Sequence, residues 1–268
     1  MGRGGLPLSD KVAVITGASS GVGKAAAISW AKLGADLVVC ARSVEPRADG
    51  YPSLVDTHGE VEQAGGRCVA VRADMSVDDD IAALADVTRQ QFGRVDILLN
   101  NAAALDPDEM NRPLTEMSVE SWRYQINVNL TGPWLMIKTF LPLFPAHGGL
   151  VVNTTSGPMP GEPPITRLPG HGFPGAAYPV SKAGINRLSQ VLGNELRPYG
   201  IAVVSFHPGR ARVERSADRL VKAGYNPDDW QDVGHAITKL EWLVTHDDPM
   251  SLSGTVVYTP QAPRSPDD

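Results

Sequence analysis

Cysteine is scarce in this chain, with two in 268 residues. Cys40 and Cys68 each sit inside an apolar run, the setting of buried free thiols in a reducing compartment; a bridge between them is the competing reading. A chain of this length buries enough surface to need neither disulfide nor metal for stability. Histidines 58, 147, 171, 207, 235 and 246 are scattered without ligand spacing, so no metal site is expected. Long apolar runs are absent too: none reaches the length of a membrane span, and the start, Met-Gly-Arg-Gly-Gly-Leu, lacks the apolar stretch of a signal peptide. The expectation is a cytoplasmic protein without a membrane partner. Nor is there a basic surplus. A formal charge of −6 offers nothing to nucleic acid or an anionic membrane surface.

What is present is rhythm. Val12-Ala-Val-Ile15, Leu37-Val-Val-Cys40, Cys68-Val-Ala-Val71, Val95-Asp-Ile-Leu-Leu99, Leu150-Val-Val152 and Ile201-Ala-Val-Val-Ser-Phe206 are short, apolar and rich in β-branched residues. They read as buried strands. Amphipathic stretches separate them; in the first, Val22, Ala26, Ser29, Trp30 and Leu33 share a face and Gly34 stops it. Strands alternating with helices imply right-handed βαβ units and a parallel sheet covered on both faces. Thr255-Val-Val-Tyr258 supplies a seventh strand. The fold class expected is α/β: one doubly wound Rossmann domain over residues 1–268 with a central parallel sheet of about seven strands. Two stretches break the rhythm and read as loop insertions, one near 43–52 and one, dense in Pro and Gly, over 157–175. The second lies just before the Tyr178 segment, which favours a loop over a site.

Between the first strand and first helix runs Thr16-Gly17-Ala18-Ser19-Ser20-Gly21-Val22-Gly23. Glycines let backbone approach a pyrophosphate, and the free amides and dipole of a helix N-terminus receive its charge. The same glycines suit a plain tight turn, but the strand-to-helix context is the one a dinucleotide cradle requires. The end of the second strand selects the cofactor. An acid there accepts from a ribose 2′-hydroxyl; this chain has Cys40-Ala41-Arg42-Ser43, with Asp36 at the opposite end. Arg42, with Ser43 and Arg47 near it, suits a 2′-phosphate, so NADP is favoured and NAD is the alternative.

Tyr178 and Lys182 lie four residues apart in a helical pattern, so they share a face. An ammonium about 5 Å from a phenol, at an effective dielectric near 20, favours the phenolate by about 3 kcal/mol. That is about two pKa units, enough to tune a tyrosine for acid/base work near neutrality. With six tyrosines in the chain, the spacing alone also fits a surface lysine beside a half-buried ring.

Other positions decide the matter. With the glycine turn, Asn100-Asn-Ala-Ala103 after the fourth strand, Asn129-Leu-Thr-Gly132 in the next helix and Asn153-Thr-Thr-Ser156 ending the fifth strand, the chain resembles the short-chain dehydrogenase/reductase family from about Lys11 to about Thr259. The resemblance implies an NAD(P)-dependent oxidoreductase moving a hydride between nicotinamide and a small-molecule alcohol or carbonyl substrate. It also implies a homodimer or homotetramer. By the same resemblance Tyr178 would be the general acid/base, and Lys182 would tune it and hold the nicotinamide ribose. Ser156 would bond the reacting oxygen, and Asn129, in preference to Asn127, would anchor a water in the proton relay. Gly17, Ser19, Ser20, Gly21, Val22 and Gly23 would carry the cofactor phosphates. Asp74 would meet the adenine, or else serve the next helix as a cap, a role that Ser76 fits better. Asn100 would lie beside the adenosine ribose, and Pro208 and Gly209 would border the nicotinamide. Three features depart from the family pattern: Ala103 where Gly is usual, Val213 where Thr often stands, and the long Ser156–Tyr178 separation. Alternative functions are a cofactor-binding regulatory protein of the same fold and an epimerase or dehydratase of the same family. Arg210, Arg212, Arg215 and Arg219, interleaved with Glu214 and Asp218, read as a salt-bridged solvent face.

Overall fold

The computed structural model describes residues 5–46, 48, 51–104, 112–157, 176–213 and 230–259. The strands are β1 (Val12–Thr16), β2 (Asp36–Ala41), β3 (Arg67–Arg72), β4 (Ile97–Asn100), β5 (Gly149–Thr154), β6 (Ile201–His207), β7 (Ala211–Arg212), β8 (Gln231–Asp232) and β9 (Val256–Tyr258). Seven form one sheet in the order β3-β2-β1-β4-β5-β6-β9, with every pair parallel. β7 and β8 pair separately beyond it. The seven expected strands are all there.

Their apolar runs are continuous because both faces are covered. Ala13, Ile15, Leu37, Val39, Ile97, Leu99, Leu150, Val152, Ala202 and Val204 enter one core. Their neighbours Val14, Val38, Cys40, Leu98, Val151 and Val203 enter the other. Period two in the pleat, with helices on both sides, keeps the middle of the central strands apolar on both faces. On the first face α1 (Gly21–Lys32) packs beside α2 (Leu54–Gln63) and α7 (Val233–Val244). On the second, α3 (Asp78–Phe92) packs on α5 (Gly132–Phe140), while α4 (Val119–Ile126) meets α6 (Ala177–Glu195). Both cysteines are free, and burial pushes the Cys40 and Cys68 thiols up to about 12.

The order reverses between β1 and β4, so the segments leaving their C-terminal ends diverge and open a crevice. The glycine turn leaves β1 there and the Asn100–Ala103 segment leaves β4. At the opposite end Asp96, almost fully buried, takes the backbone N–H of Val12 (3.0 Å) and meets Arg94, Lys11 (3.5 Å) and His147 (3.8 Å). That tie holds the two central strands in register and explains why β4 begins at Ile97, later than the apolar run suggests. Asp96→Ala leaves two permanent cations and His147 facing one another. Lys11 and Arg94 are partly exposed and can rehydrate, so the cost falls below that of a fully buried pair, at about 2–3 kcal/mol. Urea unfolding checks it, and a change under about 0.5 kcal/mol contradicts the reading.

The insertion over 157–175 is described at Gly157 alone, and the remainder lies outside the described residues, as do Arg47, Arg215 and Arg219. The competing reading of Asp74 or Ser76 as a helix cap does not hold: α3 begins after Val77, whose side chain offers no hydrogen bond. Asp74 Oδ1 instead accepts from the Ser76 amide (2.9 Å) and hydroxyl (2.7 Å), closing a tight turn one step earlier.

Candidate active site

Packing explains the glycine turn before any ligand does. Thr16 Oγ1 accepts from the amides of Asn101 and Ala102, both at 3.0 Å, and Asn101 Nδ2 donates to the Thr16 and Gly17 carbonyls at 3.1 and 3.3 Å. The turn therefore lies against the segment after β4. A Cβ on Gly17 would stand 2.7 Å from the Ala102 Cα, and one on Gly23 would stand 2.5 Å from the Gly17 carbonyl oxygen. Gly21 opens α1 at a φ of +59°, which favours glycine. Asn101 and Thr16 seat the turn, and the sequence does not single them out; the doubled asparagine is the available signal. Ala103 needs no glycine, because among the described residues only Asp10 is a non-glycine with positive φ.

The N-terminus of α1 differs from its neighbours. Ser53 and Asp56 close a capping box on α2, and α3 carries Asp78, Asp79 and Asp80 in its first turn. Ser20, at the N-cap of α1, makes no side-chain cap bond, and the first turn holds no acid. With no acid and no side-chain cap of its own, that end of the helix dipole suits an anion. Asn100 adds a buried carbonyl oxygen, Oδ1, with no hydrogen-bond partner, while its Nδ2 donates to Asn153 at 2.8 Å. These features fit a dinucleotide, with Gly17, Ser19, Ser20, Gly21, Val22 and Gly23 at its phosphates. At the end of β2, exposed Arg42 reaches the Tyr124 hydroxyl and lies 5.7 Å from its ring centroid. That partner is a phenol, which leaves the guanidinium charge unneutralised by the contact. Asp74 stands half-buried at the end of β3 with one carboxylate oxygen spent on Ser76. On the outer side of the turn a cavity of about 510 Å³ is bounded by Gly21, Lys24, Ile28, Glu60, Arg212 and Val233. Lys24 is already paired to Glu60 there at 2.7 Å, and Ser156, Tyr178 and Lys182 take no part in its wall.

Ser156, Tyr178 and Lys182 come together where β5 ends against the start of α6. The Tyr178 and Ser156 hydroxyls share a hydrogen bond. Lys182, buried, donates from Nζ to the Thr154 carbonyl at 2.8 Å and lies 5.8 Å from the Tyr178 ring centroid. Thr155 Oγ1 returns a bond to the Lys182 carbonyl at 3.2 Å. The spacing expectation for the pair is met; the electrostatic one is corrected. Burial pushes the Tyr178 phenol above its ordinary value, and the Ser156 hydrogen bond, pulling the other way, does not offset it. Burial also pulls Lys182 down to about 8. Desolvation outweighs the attraction expected between the pair because it penalises both charged forms.

Asn129 stands fully buried in a π-turn, Asn127–Thr131, between α4 and α5. Pro133, four residues on, has no N–H for the Asn129 carbonyl, so an α-helical bond cannot form there and the backbone widens. The Asn129 side chain is held at both ends: Oδ1 accepts from the Ala104 amide (2.8 Å) and Nδ2 donates to Ser181 (3.2 Å). Asn127 is exposed, which favours Asn129 of the two. Pro208 and Gly209 follow β6 at the same edge of the sheet, with Gly209 at a φ of +70°. Arg42, the glycine turn, Asp74, Asn100, Ser156 and Pro208–Gly209 thus all lie at or just beyond the C-terminal ends of the parallel strands.

The chain is similar to known proteins. The short chain dehydrogenase family profile covers residues 11–221. Glucose 1-dehydrogenase 2 of Bacillus subtilis is 32% identical over 213 residues, which is 79% of this chain and 76% of the relative. A crystal structure of a metagenomic short-chain oxidoreductase in complex with NADP is 31% identical and covers 95% of this chain and 99% of its own, with a TM-score of 0.74. A short chain dehydrogenase of Mycobacterium paratuberculosis bound to NAD is 22% identical with a TM-score of 0.75 over 94% and 97% of the two chains, a likeness of fold alone.

Proposed function

The chain belongs to the short-chain dehydrogenase/reductase family, and we propose that it reduces a small carbonyl compound, or oxidises the corresponding alcohol, with NADP as its preferred cofactor. The observation that carries this reading is the Ser156–Tyr178 hydrogen bond beside buried Lys182, at the same end of the sheet as the glycine turn that opens α1 with no acid in its first turn. When bound, the nicotinamide supplies or accepts the hydride. The chain's own residues position the partners and manage the proton.

A phenol raised by burial is protonated at ordinary pH, which suits the acid in carbonyl reduction. The Ser156 hydroxyl orients the carbonyl oxygen toward it. Tyr178 gives that oxygen its proton and becomes a buried phenolate, the species most in need of a nearby cation. Lys182 is the group placed to supply it. The Asn129 side chain fixes the Ala104 segment against α6, and its backbone carbonyl at the π-turn is the group proposed to hold a water in the proton relay. Arg42, a cation where an NAD enzyme would place an acid, supports the NADP preference, as does the bound cofactor of the metagenomic relative. Gly21 and Val22 with the rest of the turn would hold the phosphates, Asn100 and Asp74 the adenosine end, and Pro208 and Gly209 the nicotinamide end.

The test is loss of reduced-nicotinamide absorbance with a panel of aldehydes and ketones, using NADPH and NADH in parallel. Turnover with at least one compound, and a higher kcat/KM for NADPH that Arg42→Ala reduces, is expected. Cofactor binding with no turnover across the panel points instead to a binding protein of the same fold. The pH dependence carries its own sign. A lysine titrating near 8 is charged below that pH and neutral above it, so kcat/KM for reduction is flat at lower pH and declines as pH rises through about 8. Lys182→Arg keeps its charge and should flatten the high-pH limb while lowering the plateau. An unaltered high-pH decline in that variant would assign it to another group.

A further inference from the structure

His207 is the last residue of β6, 6% exposed, and adjoins the Pro208–Gly209 turn. Its spacing marked it as no metal ligand, and its contacts give it another task. The Gly209 amide donates to His207 Nδ1 at 3.0 Å. A ring nitrogen that receives an N–H must hold its lone pair, so Nδ1 carries no proton. The other nitrogen, Nε2, lies 3.0 Å from the Gly157 carbonyl oxygen, which can only accept. Nε2 therefore carries the hydrogen. The neutral Nε2–H tautomer is the one form of the ring that makes both bonds, because an imidazolium would turn a second donor on the Gly209 amide. The ring is also stacked on Tyr258 of β9, with centroids 5.6 Å apart at 28°.

These two bonds join the two segments that the reaction must keep in register. Gly157 immediately follows Ser156, whose hydroxyl meets Tyr178. Gly209 belongs to the turn assigned to the nicotinamide end. We infer that His207 is a positioning residue, clamping the Ser156 turn to the Pro208–Gly209 turn through its neutral Nε2–H form. The inference rests on the function proposed above for what each turn does, but the clamp itself is a matter of ring geometry.

Three substitutions separate its halves. His207→Asn puts an acceptor, Oδ1, at the place of Nδ1 and is too short to reach Gly157. His207→Gln reaches Gly157 with its amide and offers Gly209 no acceptor at the near position. His207→Phe keeps a ring on Tyr258 and loses both bonds. NADP affinity is read by fluorescence titration, and kcat at saturating NADPH with the best carbonyl of the panel. The Asn variant should bind NADP within about threefold of wild type and lose at least about tenfold in kcat. The Gln variant should keep kcat within about threefold and bind NADP about tenfold more weakly. The Phe variant should show both defects. A merely structural histidine would lower the melting temperature of all three and leave kcat and NADP affinity unsplit, and that pattern overturns the proposal.

A second readout needs no turnover. Long-range proton–nitrogen correlation on the wild-type chain at pH 7 should show His207 Nδ1 as the unprotonated nitrogen and Nε2 as the protonated one. The opposite tautomer, or an imidazolium, sinks the clamp even in an active enzyme. If the tautomer and the Asn/Gln split in NADP affinity hold while no panel compound is reduced, the clamp stands and the hydride-transfer function falls.

Discussion

Tyr178→Phe should lower kcat for carbonyl reduction by about a thousandfold while leaving NADP affinity within about threefold of wild type. The magnitude is that of a general acid placed in hydrogen-bond reach of the reacting oxygen, typically 10²–10⁴ in rate. The selectivity follows from what the substitution removes. Phenylalanine keeps the ring that Lys182 approaches and loses only the hydroxyl that meets Ser156. Because that hydroxyl sits in a buried setting that raises its pKa, it is a proton donor at pH 7 and is not free to act as a resident phenolate. The loss should therefore persist across the neutral range, with no rescue at high pH. A fall of less than tenfold would place the acid elsewhere in the crevice.

Gly23→Ala should weaken NADP binding by about ten- to a hundredfold. Its added Cβ would stand 2.5 Å from the Gly17 carbonyl oxygen and 2.6 Å from Asn101 Nδ2. The first obstacle is backbone, which cannot swing aside as a long side chain can. Overpacking of this kind costs about 1–3 kcal/mol, and here it forces the turn to open between Gly17 and Gly23 and to shift against Asn101. Each 1.4 kcal/mol lost from binding is tenfold in affinity. Gly59→Ala is the internal control, since nothing lies within 4 Å of its added Cβ in the middle of α2. That variant should gain about 0.5–1 kcal/mol in urea unfolding through the helix preference of alanine and bind NADP as wild type does. Equal NADP affinity in both variants would show that the turn is a plain connector.

The sheet was legible because its physics is local. A strand buried on two faces is apolar at nearly every position, and Val12–Ile15, Leu37–Cys40 and Ile201–Val204 carry that mark. The gathering of Ser156, Tyr178 and Lys182 was legible through helical spacing and through motif order along the chain. Charge states were not. The sequence places an ammonium near a phenol, but only the packed structure shows that both are desolvated enough for burial to dominate their titration. Bonds between distant segments were equally hidden. Thr16 to Asn101, Asp96 to Val12 and His207 to Gly157 span 85, 84 and 50 residues, and no local pattern announces them. Asn129 shows both cases, since its motif named the residue while the π-turn, readable afterwards from Pro133, needed the backbone to be seen.

The central claim is that the crevice transfers a hydride and Tyr178 completes the reaction with a proton. Its most direct measurement uses NADPH deuterated at nicotinamide C4 with the most reactive carbonyl of the panel, and mass spectrometry of the product. Wild type should deliver one deuterium to the former carbonyl carbon, and Tyr178→Phe should deliver it to the same carbon about a thousandfold more slowly. Product that carries no label, or labelled product formed equally fast by both proteins, would contradict the account.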